Sequence, residues 1–550
     1  MIENLRTIGR LNNLAPTRLD RVVARLRRPA DRMYEARATR LRDLARLSPT
    51  AAERPASAPR ILVASLRGWS AHSACELIIA HALQARGARV ALLRCGGGMP
   101  ACEVGWARRA YPRPCDRCAW LTGRLAEQSG LEDYSLREFF EWGGDSRRAP
   151  TGSTFTDAGD PYALSRVSLT WLMRATRIDR LPEGPSARED FALASDAVRR
   201  ATAAILDRFQ PDIVFLLNGL FAAENTIREV ALRRGVRAPT YEIAPRAGCL
   251  VLSQQTPAPC YDTDALWSAV SHTPLRSEQR ADVLALLDGR AQGVGAHERY
   301  FDNPEADAAE LRRRLGLPDA RRVVTLFTNV SWDSATFARD VGFSGMFDWI
   351  AEVVRRAAEH RDLVLIIRIH PGEELWGTRE RVESELLDAV GKLPDNVRIV
   401  AAAEPVSSYA LLDLSDLILT YTTTVGLEAA CRGKPVAVAG DTHYRGRGFT
   451  IDIDRPDQLA SVLAEPPGPL GDEHVELALR YAFAFFFRAM VPFPAMQGGP
   501  AGVTRVPATE QELAPGADPY LDWICERILD GADFALPDEL AAPVPALTSA

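Results

Sequence analysis

The sequence predicts an α/β protein built on parallel sheets, and three observations carry that reading. Between Val323 and Gly440, short apolar and β-branched runs recur: Val323–Phe327, Leu363–Ile367, Val397–Val400, Leu417–Leu419 and Val436–Val438. Helix-like segments, with apolar residues at three- and four-residue spacing, separate them, which is the pattern of βαβ units with parallel strands. Polar residues stand at the same place in each repeat, just after the run: Asn329 with Trp332-Asp333, then His370-Pro371-Gly372-Glu373, then Thr422-Thr423-Thr424. Parallel sheets bind ligands at the carboxyl ends of their strands, so chemistry is expected at these three places.

A chain of 550 residues is too long for one core and implies two or three domains. Hydrophobic residues make up 47% and charged residues 25%, the balance of an ordinary soluble globular protein. A net charge of −6 argues against a dedicated nucleic-acid binder. The basic residues are almost all arginine, with Lys392 and Lys434 the exceptions, a bias that reads as genomic rather than functional. The start, Met1-Ile2-Glu3-Asn4-Leu5, lacks the apolar stretch of a signal peptide, and no run approaches the ~20 apolar residues of a membrane span. A cytoplasmic location is therefore expected.

Taken in order, residues 1–58 form an arginine-rich helical extension with Arg25, Arg27, Arg28, Arg37, Arg40 and Arg42, ending in a Pro/Ala-rich linker. It is either an arm on the anionic inner face of a membrane or an extension packed on the domain behind it. Residues 59–290 hold a first Rossmann-like domain. Its strands are Ile61–Leu66, Arg89–Leu93, Asp212–Leu217 and Pro239–Ile243, the last carrying Glu242, and a helix runs from Ala222 to Arg234. About Leu121 to Leu193 it is helical and loop-rich without a legible motif. Cys95, Cys102, Cys115 and Cys118 fall in one stretch of this domain, and the last two make a Cys-x-x-Cys. Such thiolates can share a structural zinc, with an iron–sulfur cluster the lesser variant and buried thiols the plain alternative. The segment Thr273–Tyr300 reads as an interdomain connector, residues 300–465 as the second domain, and 466–550 as C-terminal helices and tail. One of those helices crowds Tyr481, Phe483, Phe485, Phe486 and Phe487, either to cross back to the first domain or to touch a membrane. The tail from Ala535, rich in Ala and Pro, reads as disordered. Asp452-Ile453-Asp454 matches a metal-holding Asp-x-Asp but is too short to count, and Gly96-Gly97-Gly98 opens no helix as a dinucleotide fingerprint would.

Within the second domain the threonine loop is the most legible site. Leu417 to Tyr421 reads as a strand, three threonines follow, and Val425 to Arg432 reads as a helix closed by Gly433. A hydroxyl-rich loop that opens on a helix N-terminus suits an anion, although it also suits an ordinary threonine N-cap. His370 ends another strand of the same sheet and could enter the same crevice. Held protonated beside a phosphate, with Arg368 on the same side of its strand, it would complete a phosphate clamp. Glu428, one helical turn beyond Thr424, could accept from ribose hydroxyls. Alternatively, His370 is a core histidine and Glu428 lies on a solvated face.

These blocks carry a resemblance. Asn329-Val330-Ser331-Trp332-Asp333, Ile367-Arg368-Ile369-His370-Pro371-Gly372-Glu373 and Tyr421-Thr422-Thr423-Thr424-Val425-Gly426-Leu427-Glu428-Ala429, continuing to Gly433-Lys434-Pro435 and Tyr444, resemble the signature blocks of bacterial capsule polysaccharide biosynthesis proteins. The match runs from Arg322 to Thr450. That family is similar to glycosyltransferases of the GT-B type, with two Rossmann-like domains facing a cleft. The His-Pro pair with a hydroxyl-rich loop is also similar to sialyl-, Kdo- and polyglycerolphosphate-type transferases that use cytidine nucleotides. The resemblance implies a metal-independent glycosyltransferase that builds capsular or other surface polysaccharide from a CMP- or UDP-linked sugar on a polysaccharide or lipid-linked acceptor. The donor would lie against Asn329, Arg368, His370, Thr422, Thr423, Thr424 and Glu428, and Glu242 or Asp333 would be the base. The rivals are a CDP-glycerol-type phosphotransferase, a nucleotide-sugar epimerase and a non-catalytic polysaccharide-binding subunit.

Overall fold

A computed structural model describes residues 39–47, 57–97, 99–106, 115–139, 161–295, 300–302, 304–319, 321–499 and 502–541. The strands, in chain order, are β1 (Arg60–Ala64), β2 (Arg89–Arg94), β3 (Ala101–Cys102), β4 (Gly105–Trp106), β5 (Glu132–Ser135), β6 (Ile213–Leu217), β7 (Thr240–Ile243), β8 (Cys249–Ser253), β9 (Arg322–Phe327), β10 (Leu363–Arg368), β11 (Val397–Val400), β12 (Leu417–Thr420), β13 (Val436–Val438), β14 (Ile451–Asp452), β15 (Met490–Pro492), β16 (Gln497–Gly499) and β17 (Gly502–Arg505). They form two large sheets and two hairpins, so the chain is an α/β protein with two mainly parallel, Rossmann-like sheets, as expected.

The first sheet runs β15-β8-β7-β6-β1-β2-β5. Its middle is parallel, from β7 through β6, β1 and β2 to β5. All five residues of β6 are buried, because helices cover both faces of a parallel sheet. Ile61, Val63, Ile213 and Phe215 point to one side, against the helices Ser70–Ala85 and Pro519–Asp530. Leu62, Ala64, Val214 and Leu216 point to the other, against the helices Gly184–Phe209 and Ala222–Arg233. The second sheet runs β11-β10-β9-β12-β13-β14 and is parallel throughout. Its register sets Arg368, Phe327 and Thr420 level across β10, β9 and β12, so the loops that follow make one rim.

The C-terminal segment ties the domains together. The helix Asp472–Phe483 continues into a wider turn, Ala484–Arg488, and buries Tyr481, Phe483, Phe485, Phe486 and Phe487 in a core shared with both sheets. The membrane-facing alternative for these aromatics is thereby set aside, since the rings have no outward surface. β15 then pairs antiparallel with β8, and the helix Pro519–Asp530 returns to the first domain. Asp518 caps that helix by accepting from the Tyr520 and Leu521 amides, while Arg237 donates to the Ile528 and Leu529 carbonyls at its other end. The tail does not follow its composition as far as Ala541: Leu536 is buried and exchanges hydrogen bonds with Arg488. Residues 542–550 lie outside the described residues.

Most of the N-terminal extension also lies outside them. In its described part, a helix over 39–45 buries Leu41, Leu44 and Ala45 in the first core, and Arg40 donates to the Val503 carbonyl, so this part is a packed extension. Among the described residues no helix is long and apolar enough to cross a membrane.

Because Ile524 is fully buried between the C-terminal helix and the first sheet, Ile524→Ala should cost about 2–5 kcal/mol of stability. Denaturant unfolding followed by circular dichroism measures this, and an unchanged midpoint would mean that the helix is not part of the core.

Candidate functional site

Ligands gather where an open parallel sheet reverses its strand order, because the loops on either side of that point diverge and leave a crevice. In the second sheet the order, counted by first appearance, is third, second, first, fourth, fifth, sixth, so the reversal falls between β9 and β12. Asn329 follows β9 and Thr422 follows β12, and the Asn329 side chain accepts from the Thr422 amide at 3.2 Å. Beside them opens a pocket of about 140 Å³ lined by Thr422, Thr423, Thr424, Arg339, Asp441 and His443, with Pro259, Cys260 and Tyr261 reaching over from the first-domain side. The threonine loop is held from behind: Tyr444 donates to the Thr423 carbonyl at 2.7 Å, and Thr442 donates to that of Thr422. Gly426 permits this, since a Cβ there would lie 2.3 Å from the Tyr444 hydroxyl. Two buried polar atoms of the lining have no partner among the described residues, Thr422 Oγ1 and His443 Nε2.

The first sheet reverses between β1 and β6, and its loops close the other side of the cleft. Asn218, in a left-handed turn with Gly219, donates to Glu242 Oε2 at 2.7 Å, and the Ile243 amide donates to Oε1 at 2.9 Å. Burial raises the Glu242 carboxyl to about 7, these two hydrogen bonds opposing the rise and the charge of Asp333 adding to it. Burial likewise raises Asp333, which accepts from Ser334 and from the Ala335 amide. The Tyr261 phenol lines the pocket and is raised by burial and then by the charges of Glu242 and Asp333, so both expected carboxylates stand near the pocket without lining it. Arg67, in the loop after β1, points inward to Glu103 and Glu224 in a buried ion cluster.

Three residues expected at the donor stand otherwise. Arg368 is buried and donates to the Ala401 and Val406 carbonyls, and burial lowers it to about 10. It braces the loop after β11 and does not line the pocket. Glu428 is held by Arg290 at 2.9 Å and by the Tyr409 hydroxyl, so its carboxylate is a buried structural anchor rather than an outward ribose acceptor. Burial, then the Arg368 charge, lowers the His370 imidazole to about 4, which favours its neutral form where no anion is bound. Its Nδ1 accepts from the Gly372 amide at 3.0 Å, which leaves Nε2 carrying the proton. It stands on the same rim, one strand beyond Asn329, with its amide bonded to Thr328 Oγ1.

The cysteines do converge, since Cys95, Cys102, Cys115 and Cys118 line one cavity of about 30 Å³ with Arg67 and Glu103. Yet no three His, Cys, Asp or Glu side chains among the described residues are placed to hold a metal ion. Burial pushes Cys95 up to about 12, Cys102 well above the usual range and Cys118 upward, whereas a ligating thiol must ionise. The residues as arranged do not fit the expected zinc or iron–sulfur centre. The Asp452 and Asp454 carboxylates are also engaged locally, by Gly446 and Thr450 and by Arg445.

Sequence reasoning missed Arg339, Tyr261 and His443. Arg339 donates to Asp441 and to the Cys260 carbonyl, which puts a cation at the pocket wall. Its position was open to discovery only through the antiparallel bridge of Asp340 with Gly440, which no local pattern signals.

Residues 286–466 match the model of the family described as capsule polysaccharide biosynthesis protein, so the resemblance carried by the Asn329, His370 and Thr422 blocks is borne out. No curated protein matches the chain. Among solved structures, the chain is similar to KpsC, a beta Kdo 2,4 transferase of Thermosulfurimonas dismutans, at 16% identity over 48% of this chain and 78% of that one, with a TM-score of 0.33. It is similar to a UDP-GlcNAc 2-epimerase from Neisseria meningitidis at 13% identity over 76% and 94%, TM-score 0.24. It is also similar to the glycosyltransferase SnogD from Streptomyces nogalater at 16% identity over 78% and 94%, TM-score 0.22. At these TM-scores the likenesses carry no argument about reaction or substrate.

The cysteine geometry gives a direct expectation. In native protein Cys95, Cys102 and Cys118 should resist alkylation at neutral pH and react fully once unfolded, as peptide mass spectrometry would read. Rapid native modification, or stoichiometric zinc that protects them, would contradict the description of neutral buried thiols.

Proposed function

We propose that this chain is a glycosyltransferase that moves a sugar from a nucleotide donor to a growing capsular or other surface polysaccharide, or to its lipid-linked precursor. The observation that carries the reading is the pocket at the β9–β12 reversal, lined by the threonine loop and Arg339, with its unpartnered Thr422 hydroxyl. The family match over the same segment supports it.

In this reading the donor phosphate meets Arg339 and the hydroxyls of Thr423 and Thr424, while Thr422 lines the same donor pocket. Fixed donors in a partly dry cleft stabilise the charge that grows on the leaving phosphate, which is the work a divalent metal would otherwise do. His370 adds a neutral Nε2–H donor along the same rim. Glu242 is the general base: above about 7 it is ionised and can take the proton of the attacking acceptor hydroxyl. Asp333 is the alternative base, and its negative charge helps to keep Glu242 basic. An acceptor bound at the inner face of a membrane remains compatible with this assignment.

The test is a screen of CMP-, UDP- and CDP-linked donors with a polysaccharide acceptor, followed by Glu242→Gln. Wild-type kcat/KM should climb with pH through an apparent pKa near 7, because the ionised form is the active base. Glu242→Gln should lower transfer by about 100-fold or more while nucleotide affinity stays unchanged. Wild-type turnover in that variant would remove Glu242 as base. An altered sugar formed from donor alone would replace the transferase by an epimerase.

A further inference from the structure

We infer that His443 is a specificity-determining residue that accepts a hydrogen bond from a sugar hydroxyl of the donor, an inference that rests on the donor-site reading above. The ring is fixed on every side. It stacks on Phe485 with centroids 3.9 Å apart and takes the edges of Tyr261 at 5.5 Å and Tyr444 at 5.1 Å. Its Nδ1 lies 2.9 Å from the Tyr481 hydroxyl. That hydroxyl has one proton, and the His443 carbonyl, which can only accept, takes it at 2.6 Å. Thr263 Oγ1 stands 2.8 Å away as a further partner of the same oxygen. Nδ1 must therefore donate to Tyr481, so the proton is on Nδ1 and Nε2 presents a lone pair.

Nε2 is buried and unpartnered, and the ring lines the pocket beside Thr422, whose Oγ1 is also buried and unpartnered. Thr422 itself is 7% exposed. An obligate acceptor beside a hydroxyl that can give or take matches an alcohol, which donates to one and bonds the other. A phosphate oxygen does not fit there, because it would face the Nε2 lone pair. Burial and the nearby Arg339 and Arg447 keep the imidazole neutral, which supports the same assignment. The pocket lining thus offers both kinds of partner: Arg339 for an anion, and His443 with Thr422 for a hydroxyl. Glu428 is engaged by Arg290 and Tyr409, which leaves this recognition to His443.

The hydroxyl belongs either to the ribose or to the transferred sugar, and two arms separate them. Calorimetric titration of the full chain with CMP, UMP and UDP, each beside its 2′-deoxy and 3′-deoxy counterpart, reads the ribose. KM for nucleotide sugars beside deoxy-sugar donors reads the glycosyl unit. In one arm the wild type should prefer the hydroxylated ligand by about five- to tenfold. His443→Phe, which keeps the stacking, should erase that preference, and His443→Gln, whose amide oxygen can replace Nε2, should restore part of it. If His443→Phe does not fold, His443→Asn gives the same comparison. A preference equal in wild type and variants, or absent from both arms, overturns the inference alone. Failure of every nucleotide and nucleotide sugar to bind overturns the donor-site reading and this inference with it.

Discussion

The reversal of strand order between β9 and β12 is the constraint on which the rest depends. On one side the connections run to β10 and β11, on the other to β13 and β14, so the loops diverge at that point. The sheet register brings Phe327 and Thr420 level, so Asn329 and Thr422 emerge side by side and can bond directly. A polar crevice at that point follows from topology. What the sequence adds is its lining: hydroxyls from one loop, a guanidinium from another, and an imidazole fixed by aromatic stacking.

A cleft between two sheets works only if the facing domain is held in place, and two kinds of contact do this. The C-terminal chain crosses from the second core to the first sheet, which gives the domains one continuous aromatic core around Phe485, Phe486 and Phe487. Polar contacts secure the opposite side. Glu380 accepts from the Thr176 and Arg177 amides at 2.7 Å, Arg379 pairs with Glu183, and Trp171 packs edge-on to Trp332 at 5.1 Å. Glu242 is desolvated at the end of β7, and burial is the main cause of the rise in its carboxyl to about 7.

Much of the second sheet was legible because buried parallel strands read as uninterrupted apolar runs: β9 to β13 begin and end within one or two residues of the expected positions. The rim residues Asn329, Asp333 and Thr422 were legible for the same reason, since they follow strands. Arg368 was not, because its position on the strand gives its side but not its partners, and backbone carbonyls of the next loop claim it. Glu428 is claimed by Arg290, far away in sequence, and His443 gains its role from Tyr481 and Phe485 on a helix that returns late in the chain. Local periodicity carries none of these long-range pairings. The cysteine spacing did bring four thiols to one cavity, but spacing alone does not say whether they face one point.

The central claim is that the nucleotide lies at the second sheet's reversal. Hydrogen–deuterium exchange of the full chain, with and without saturating CMP or UDP, tests it most directly. The account predicts slowed exchange in residues 328–340 and 420–444, with the Pro259–Tyr261 turn protected alongside them. Protection confined to the first sheet's loops, around residues 65–73 and 218–221, would place the nucleotide in the other domain and contradict the account.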